Sequence, residues 1–370
     1  MAEVVDALLT FPRIYALSQR ELYEKVIGDI RDGNTDAVNR DLFQSYSENL
    51  RRGVSGVLEA DSYGDKYLDM QLQFDANTAH FAAYKAWHAT QQLERQLSDS
   101  DGVARSPEDF ERMAKAVLNT FNRYQAAEYN TAVARARTAK QWTDFSDPDH
   151  TFLFPNLRWL PSRSADPREI HMPFYNRVWA KTDTFWNSNQ PGNLWNCKCD
   201  WEETDDPVTG DNPEGIKPAR GLEGNPAVTG QIFTDKCTYV QKAGKGTEHE
   251  ALKAMWKDNF NWALEHVRGK QVRNPGIDEE INISRRGIKE FLNQNHDDYL
   301  VKNEMIRHIE SVLSKAEYMG ETVYGGKVSK IFKIQLKGKN NYIIANYDID
   351  HNLFLYSITE SDKVLIGINK

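Results

Sequence analysis

The sequence predicts a multi-domain protein, in which a mainly α-helical N-terminal part with an irregular, Cys-containing core precedes a small α+β domain. Three observations support this fold class. A chain of 370 residues is long enough for two or three domains. Helix-forming residues dominate residues 1–145, and apolar residues recur at helical spacing in two segments of this region. The end of the chain instead alternates apolar and polar residues in short runs separated by turns, which is typical of an antiparallel sheet.

Shifts in composition divide the chain into four predicted regions. Residues 1–145 form a helical scaffold region. Residues 146–205 form an irregular core, where Pro, Asn, Trp and Asp are frequent and periodicity is lost. Residues 206–275 comprise a Gly- and Pro-rich linker and a connecting helix. Residues 276–370 form the C-terminal module.

The clearest helix start in the scaffold region is at Ser106. Its hydroxyl can cap the helix, Pro107 suits the first helical position, and Asp109 completes the spacing of a capping box. An earlier amphipathic helix is predicted over 67–97. Long helices with one apolar face and no catalytic grouping indicate a scaffold.

The C-terminal module is predicted to contain two helices and a meander of strands. Ser284 can cap a helix that ends near Asn293, and a second helix is predicted over 299–318. The predicted strands lie at 329–337, 341–348, 352–358 and 362–368. In the first of them Phe332, Ile334 and Leu336 share one face, and Lys333, Gln335 and Lys337 share the other. We therefore expect one packed face and one solvent-exposed face.

Composition and charge exclude several classes of protein. No run approaches about 18 consecutive apolar residues, so neither a transmembrane helix nor a membrane partner is expected. The first residues lack a basic region before a long apolar core, so no secretory signal is expected. Three Cys are too few for a disulfide framework, which fits a reducing compartment.

The charge balance argues against a general nucleic-acid coat, because 46 basic and 54 acidic residues give a net charge of −8. The acidic excess lies mainly before the C-terminal module, which has 13 basic and 14 acidic residues. Within that module, residues 327–339 contain five Lys and no acidic residue. This stretch is the local exception that could attract phosphates.

The segment Trp195-Asn196-Cys197-Lys198-Cys199 suggests two readings. Thiols one residue apart cannot easily form a disulfide with each other, because the geometry is strained. Cys197 and Cys199 could instead face a zinc ion, with His171 and Cys237 as further ligands, although zinc sites usually space their Cys ligands more widely. The favoured alternative is that both are small packing residues beside Trp195 and Trp201.

Several segments in this part of the chain resemble the phage Mu F-type head-morphogenesis proteins, also called minor head or minor capsid proteins. They span about 125–205 and follow the family's order. The segments are Tyr129-Asn130-Thr131-Ala132, Ala136-Arg137, Gln141-Trp142, Leu157-Arg158-Trp159, Arg168-Glu169-Ile170-His171, Phe185-Trp186, Pro191 and Trp195-Asn196-Cys197-Lys198-Cys199. Lys198 replaces the family's Arg, and the sequence also departs near Asn176 and at Gln190-Pro191-Gly192, where the family often has a Gly and a Pro pair.

This resemblance implies a structural role in the phage head. Such proteins are built into the virion near the portal, and they are present in the host cytoplasm during assembly. The portal and other capsid proteins are the implied partners, contacted through the N-terminal helices. No catalysis is implied for this part of the chain, and Arg168, Trp195 and Asn196 are expected to serve as structural motif residues.

The chemistry of the C-terminal module points to RNA. Lys330, Lys333, Lys337 and Lys339 lie on or beside one predicted strand and would attract phosphates on a solvent-exposed face. Tyr347 and Tyr356 could stack bases of a single strand. Cleavage of RNA without a metal needs a base, an acid and a cation. The candidates for these catalytic roles are His296, Lys333, Ser357 and Thr359.

Phe332-Lys333-Ile334 and Leu355-Tyr356-Ser357-Ile358-Thr359, placed after two helices, resemble the barnase–EndoU–colicin–RelE group of ribonucleases. The phage versions of this group are fused to Mu F-type head domains. The resemblance implies transesterification of RNA to a cyclic phosphate without a cofactor, and an immunity protein as a partner. It carries over Ser357 first and Lys333 next, while His266 and His351 are rivals to His296. The alternative is a purely structural protein whose C-terminal module is a non-catalytic appendage.

Overall fold

The computed structural model describes residues 15–167, 169–209, 213, 216–324 and 327–368. The chain forms two compact units. The first comprises the residues up to Leu58 together with Asn77–Ala254, and the second comprises Glu59–Ala76 together with Met255–Lys370. Among the described residues, none of the helices is both long enough and apolar enough to cross a membrane. The predicted order of a helical part followed by an α+β part is confirmed.

Helices dominate the first unit, and helices α3 and α9 contribute residues to both units. In chain order the helices are α1 Tyr15–Arg31, α2 Arg40–Leu58, α3 Leu68–Glu94, α4 Pro107–Asn122, α5 Gln125–Phe145, α6 Pro148–Leu153, α7 Pro226–Thr229, α8 Thr238–Gln241 and α9 Thr247–His266. The predicted start of α4 is confirmed, because the Asp109 N–H donates to Ser106 Oγ at 3.2 Å. Apolar residues at helical spacing predict a buried stripe in this helix, and Phe110, Ala114 and Phe121 of that stripe are buried, together with Leu118.

The irregular core is a small three-stranded sheet with aromatic packing. Its antiparallel strands are β1 Asn156–Leu160, β2 Val178–Ala180 and β3 Asp200–Thr204, in the order β2-β1-β3. Two short 3-10 helices, Glu169–Phe174 and Thr184–Asn187, connect them. The buried side chains of this core are Leu157, Trp159, Phe174, Trp179, Phe185, Trp186, Leu194, Cys197, Cys199 and Trp201. With so little regular structure, side-chain packing holds this segment together.

The second unit contains a six-stranded sheet. Its helices are α10 Arg285–Asn293, α11 Tyr299–Glu304 and α12 Ile309–Lys315, with a 3-10 helix at Met305–His308. The strands are β4 Gln271–Arg273, β5 Glu280–Asn282, β6 Glu317–Tyr324, β7 Lys327–Leu336, β8 Lys339–Tyr347 and β9 Leu353–Thr359. The sheet order is β4-β5-β9-β8-β7-β6. The predicted cap of α10 is confirmed, since the Gly287 N–H donates to Ser284 Oγ at 3.0 Å.

Three details of this sheet correct the sequence prediction. The sheet is mixed rather than a pure meander, because β5 pairs with β9 in parallel. The predicted helix over 299–318 ends at Lys315, and β6 begins at Glu317. The predicted fourth strand over 362–368 begins instead with a 3-10 helix, Asp362–Leu365. The first two points depend on pairing between distant segments, which local periodicity does not report.

The two faces of the sheet differ less than predicted. Phe332, Ile334 and Leu336 are buried in the main core of the unit, as expected. The opposite face is covered in part, because Ile331, Tyr342 and Ile344 pack with Val364 of the C-terminal 3-10 helix. Lys333 lies beside this second apolar cluster on β7. Only part of this face is therefore open to solvent.

Candidate functional site

The irregular core brings together the three residues proposed as metal ligands. His171 lies on the 3-10 helix Glu169–Phe174, and Cys197 and Cys199 lie just before β3. The His171 Nδ1 atom is 3.5 Å from the Cys197 Sγ atom and 3.4 Å from the Cys199 Sγ atom. All three side chains are buried, and their ligand atoms lie within 4.8 Å of one another. Cys237 does not belong to this group, because it lies at the start of α8.

The protonation of the two thiols is coupled. The pKa of Cys197 is held well below its ordinary value because Cys199 donates a hydrogen bond to it and His171 lies against it. The pKa of Cys199 is raised, because its bond to Cys197 and its burial both disfavour a second thiolate. Trp159 and Tyr175 also face Cys199, although their polar atoms make no hydrogen bond of standard geometry within the described residues.

Two of the three predicted structural motif residues tie the Cys segment to other elements of the first unit. Asn196 adopts a left-handed backbone conformation with φ 57°, and its N–H donates to Thr131 Oγ1 at 2.8 Å. Its side-chain oxygen accepts from Asn130 Nδ2 at 3.0 Å. Trp195 stacks on Phe233 with 5.5 Å between ring centroids. Arg168 lies outside the described residues.

In the second unit, Lys330 does not share a face with Lys333. Alternation along β7 places Lys330 on the side of Phe332, where it is buried. The Lys330 ammonium lies 2.9 Å from Glu321 and 3.3 Å from Glu279. Although burial alone would lower it, the hydrogen bond to Glu321 and the nearby acidic groups keep the pKa of Lys330 above its ordinary value. Lys330 therefore serves an internal ion pair.

Lys333, Tyr342 and Thr359 form one row across the other face, in which Tyr342 is buried and Lys333 and Thr359 are half-buried. Lys333 pairs with Tyr342, and Tyr342 pairs with Thr359, so the row spans two strand spacings, about 10 Å. The Lys333 ammonium lies 3.7 Å from Glu317. The Tyr342 hydroxyl donates to Asp362 at 2.7 Å. Burial, which is the larger cause, and this hydrogen bond together raise the pKa of Tyr342 to about 12. Ser357 is buried in the next row, opposite Ile344.

His296 lies on the opposite side of the sheet. Its Nδ1 atom accepts a hydrogen bond from the Asp298 N–H at 2.9 Å, so the ring proton is assigned to Nε2. Nε2 donates to the Asn341 side-chain oxygen at 2.7 Å. Asn341 neighbours Tyr342 in β8 and therefore points away from it. The structure thus places Lys333, Ser357 and Thr359 on one face without His296.

The remaining predicted RNA contacts, Lys337, Tyr356 and Tyr347, lie in three different places. The Lys337 ammonium lies 2.5 Å from Asp298. Tyr356 is half-buried against the apolar cluster around Ile331. Tyr347 instead lines an open groove of about 1080 Å³, which His351 also lines. These residues therefore do not form one RNA-binding surface.

The sequence analysis missed two arginines in this groove. Arg268 follows the end of α9, and Arg286 lies in the first turn of α10. Both are exposed, and neither guanidinium forms an ion pair with any residue that the structure describes. The sequence did contain a signal for Arg286. Arg285 and Arg286 directly follow the predicted cap Ser284, so both basic residues are expected at a helix N-terminus. The groove is otherwise lined by Gly269, Asn282, Ile283, Ser284, Val328, Tyr347, Asp348, Ile349, His351, Asn352 and Phe354.

Comparison with known proteins identifies one relationship. Residues 250–347 match the model of a family described as large polyvalent protein-associated domain 3. The matched residues run from α9 to the end of β8, and thus cover most of the second unit. This match indicates a phage-associated protein. No curated protein and no solved structure matches the chain significantly.

Proposed function

We propose that the protein is a minor structural component of a phage head, and that its second unit binds single-stranded RNA in the groove lined by Arg268 and Arg286. The head role is supported by the motif order in residues 125–205 and by the phage-associated domain at 250–347. In this proposal the protein resides in the virion near the portal, after assembly in the host cytoplasm. The portal and other capsid proteins are its partners there.

The single observation that carries the RNA proposal is the pair of arginines in the groove. Their guanidinium groups are exposed and make no ion pair within the described residues. Arg binds phosphate through a planar array of donors, so two such groups could contact successive phosphates of one strand. Tyr347 and Phe354 line the same groove and offer aromatic surface to the bases. The lysines of β7 offer less, because Lys330 is paired internally.

Binding of the full chain to a labelled single-stranded RNA of about 12 nucleotides, followed by fluorescence anisotropy, tests this proposal. The variant carrying Arg268→Ala and Arg286→Ala should bind more weakly. In a plot of log affinity against log salt concentration, the slope for this variant should be shallower by about 1.4, because each phosphate contact with a single strand contributes about 0.7 to the slope. Lys339→Ala with Lys363→Ala removes the same charge from exposed positions outside the groove and is the control. Equal binding by the two double variants would refute the groove as the RNA site.

Ribonuclease activity is the second candidate, and the row of Lys333, Tyr342 and Thr359 favours it. The Lys333 ammonium and the Thr359 hydroxyl are half-buried, and they could stabilise a phosphorane and orient a ribose hydroxyl, with the buried Tyr342 between them. Ser357 and His296 are weaker candidates, because Ser357 is buried and His296 lies on the other side of the sheet. In this candidate the reaction needs no metal or other cofactor, and the host would need an immunity protein.

The same labelled RNA, incubated with the full chain in EDTA and separated on a gel, tests the second candidate. Cleavage that falls at least tenfold in Lys333→Ala but not in Lys339→Ala would support it, since a residue that contacts the reacting phosphate should contribute more than about 1.4 kcal/mol to the barrier. Intact RNA after prolonged incubation with the wild-type protein would leave a non-catalytic module.

A further inference from the structure

We infer that His171, Cys197 and Cys199 bind one zinc ion that crosslinks the irregular core. In a tetrahedral site with zinc–sulfur bonds of about 2.3 Å and a zinc–nitrogen bond of about 2.0–2.1 Å, sulfur and nitrogen ligands lie about 3.5 Å apart. The two Sγ atoms lie 3.5 and 3.4 Å from His171 Nδ1. Both sulfur–nitrogen distances therefore match a zinc coordination sphere, and all three ligand atoms lie within 4.8 Å of one another.

The local backbone explains how a Cys-x-Cys segment can present both thiols to one point. In a regular strand, side chains two residues apart lie on the same side. Cys197 and Cys199 lie before β3 begins, however, and the Cys197 N–H donates to the Leu194 carbonyl at 3.1 Å in a turn. The left-handed conformation of Asn196 aims the chain into this turn. Asn196 is fixed by hydrogen bonds from Asn130 and to Thr131. The ligand positions are thus set by contacts outside the site.

The surroundings of the three ligands are those of a buried metal rather than of free thiols. Polar atoms of Trp159, His171 and Tyr175 are buried there without a standard hydrogen bond to any described residue. A zinc ion bound by two thiolates and a neutral imidazole carries no net charge, which suits this apolar core. Binding forms two Zn–S bonds and one Zn–N bond, and each thiol that is still protonated loses its S–H proton to solvent.

The fourth coordination position is left to a water molecule or to the Tyr175 hydroxyl. Among the described residues, no further His, Cys, Asp or Glu joins the group of three. The zinc would link the 3-10 helix Glu169–Phe174 to the start of β3, which encloses more than 20 residues of chain. Because only short strands hold this segment, the ion should contribute to its folding.

Metal analysis of the full chain, expressed with zinc in the medium and purified without an affinity tag or chelator, tests the inference. We expect about one zinc per chain. Cys197→Ser with Cys199→Ser should lose it, whereas Cys237→Ser, which alters the other buried Cys, should retain it. Zinc content that is near zero in the wild-type protein, or equal in the two variants, would overturn the inference.

A second measurement covers the case in which the double Ser variant fails to fold. Wild-type protein stripped of metal is titrated with Co²⁺, and tetrahedral thiolate coordination gives charge-transfer and ligand-field absorption bands. Trp159 lies edge-on to the His171 ring with 5.2 Å between ring centroids, so its fluorescence should change in the same titration. Cobalt spectra without thiolate bands, or an unchanged melting temperature in the presence and absence of zinc, would contradict a structural metal site.

Discussion

Replacing Lys302 by Met should destabilise the second unit. The Lys302 side chain is fully buried, and its ammonium donates to the carbonyls of Phe291, Leu292 and Gln294 at 2.7, 3.3 and 3.0 Å. Two of these carbonyls, those of Phe291 and Leu292, belong to the last turn of α10, where no later helical N–H is available to donate to them. Lys302 therefore caps α10 from within the core, and it also lies over the ring of Tyr299.

The magnitude follows from the groups that the substitution leaves behind. A buried carbonyl without a donor costs about 1–3 kcal/mol, and Met restores only part of the apolar packing. With two or three carbonyls affected, we expect a loss of about 3 kcal/mol in the free energy of unfolding at pH 7. For a unit of this size, that loss corresponds to a melting temperature lower by roughly 10–20 °C.

The pH dependence gives a sharper form of the same prediction. Burial lowers the pKa of Lys302 to about 7, well below the ordinary value near 10.5. Between these two pH values the unfolded chain binds a proton that the folded chain does not, so Lys302 makes stability rise with pH. The stability advantage of the wild-type protein over Lys302→Met should grow by up to about 3 kcal/mol from pH 7 to pH 10. This is an upper limit, because the three carbonyls favour the charged amine.

Urea unfolding followed by circular dichroism at several pH values measures both effects, and hydrogen exchange of peptides from 285–315 assigns them to the second unit. Lys339→Met removes an exposed lysine and should change the unfolding free energy by less than about 0.5 kcal/mol. A Lys302→Met protein as stable as this control would refute the capping role. A wild-type advantage that shrinks between pH 7 and pH 10 would refute the lowered pKa.

Two packing predictions concern other buried contacts. A Cβ atom on Gly287 would lie 2.0 Å from the Leu355 carbonyl oxygen, so Gly287→Ala should lower the free energy of unfolding by about 3 kcal/mol or more, measured by thermal unfolding. The control is Gly56→Ala, whose Cβ atom meets nothing within 4 Å in a helix, and it should stabilise the protein by about 0.5–1 kcal/mol. Equal effects of the two substitutions would contradict the close approach of α10 and β9. Glu128→Gln should cost about 3–5 kcal/mol, because it leaves the buried Lys85 without its ionic partner; unchanged melting would show that the pair adds nothing.

Local signals in the sequence were sufficient for helix starts and for the main core face. Ser106 and Ser284 were identified as caps because a cap needs only its own turn, and both accept the expected hydrogen bond. Phe332 and Ile334 were placed in the core by alternation alone. The same alternation already implied that Lys330 shares their face, since it lies two residues before Phe332.

Contacts between distant segments could not be obtained from local patterns. Glu279 and Glu321, which neutralise Lys330, lie in a loop and in β6, and only the sheet order brings them together. The predicted helix over 299–318 includes the first two residues of β6, because the pairing of β6 with β7, which is irregular between Tyr318 and Gly320, leaves no signal in local periodicity. The sequence predicts the His171–Cys197–Cys199 group only as one of two alternatives, since a sequence separation of 26 between His171 and Cys197 fixes no distance.

The number of basic residues in a segment therefore overstates its affinity for phosphates. Of the lysines in 327–339, Lys330 is held by two glutamates and Lys337 by Asp298, and Lys333 lies near Glu317. An RNA phosphate would have to displace those carboxylates, and each exchange would return little net free energy. Arg268 and Arg286 form no ion pair with any described residue, although Asp348 lines the same groove, so a phosphate that binds them breaks no ion pair. For this reason the groove, rather than the lysine-rich strand, should determine the salt dependence of RNA binding.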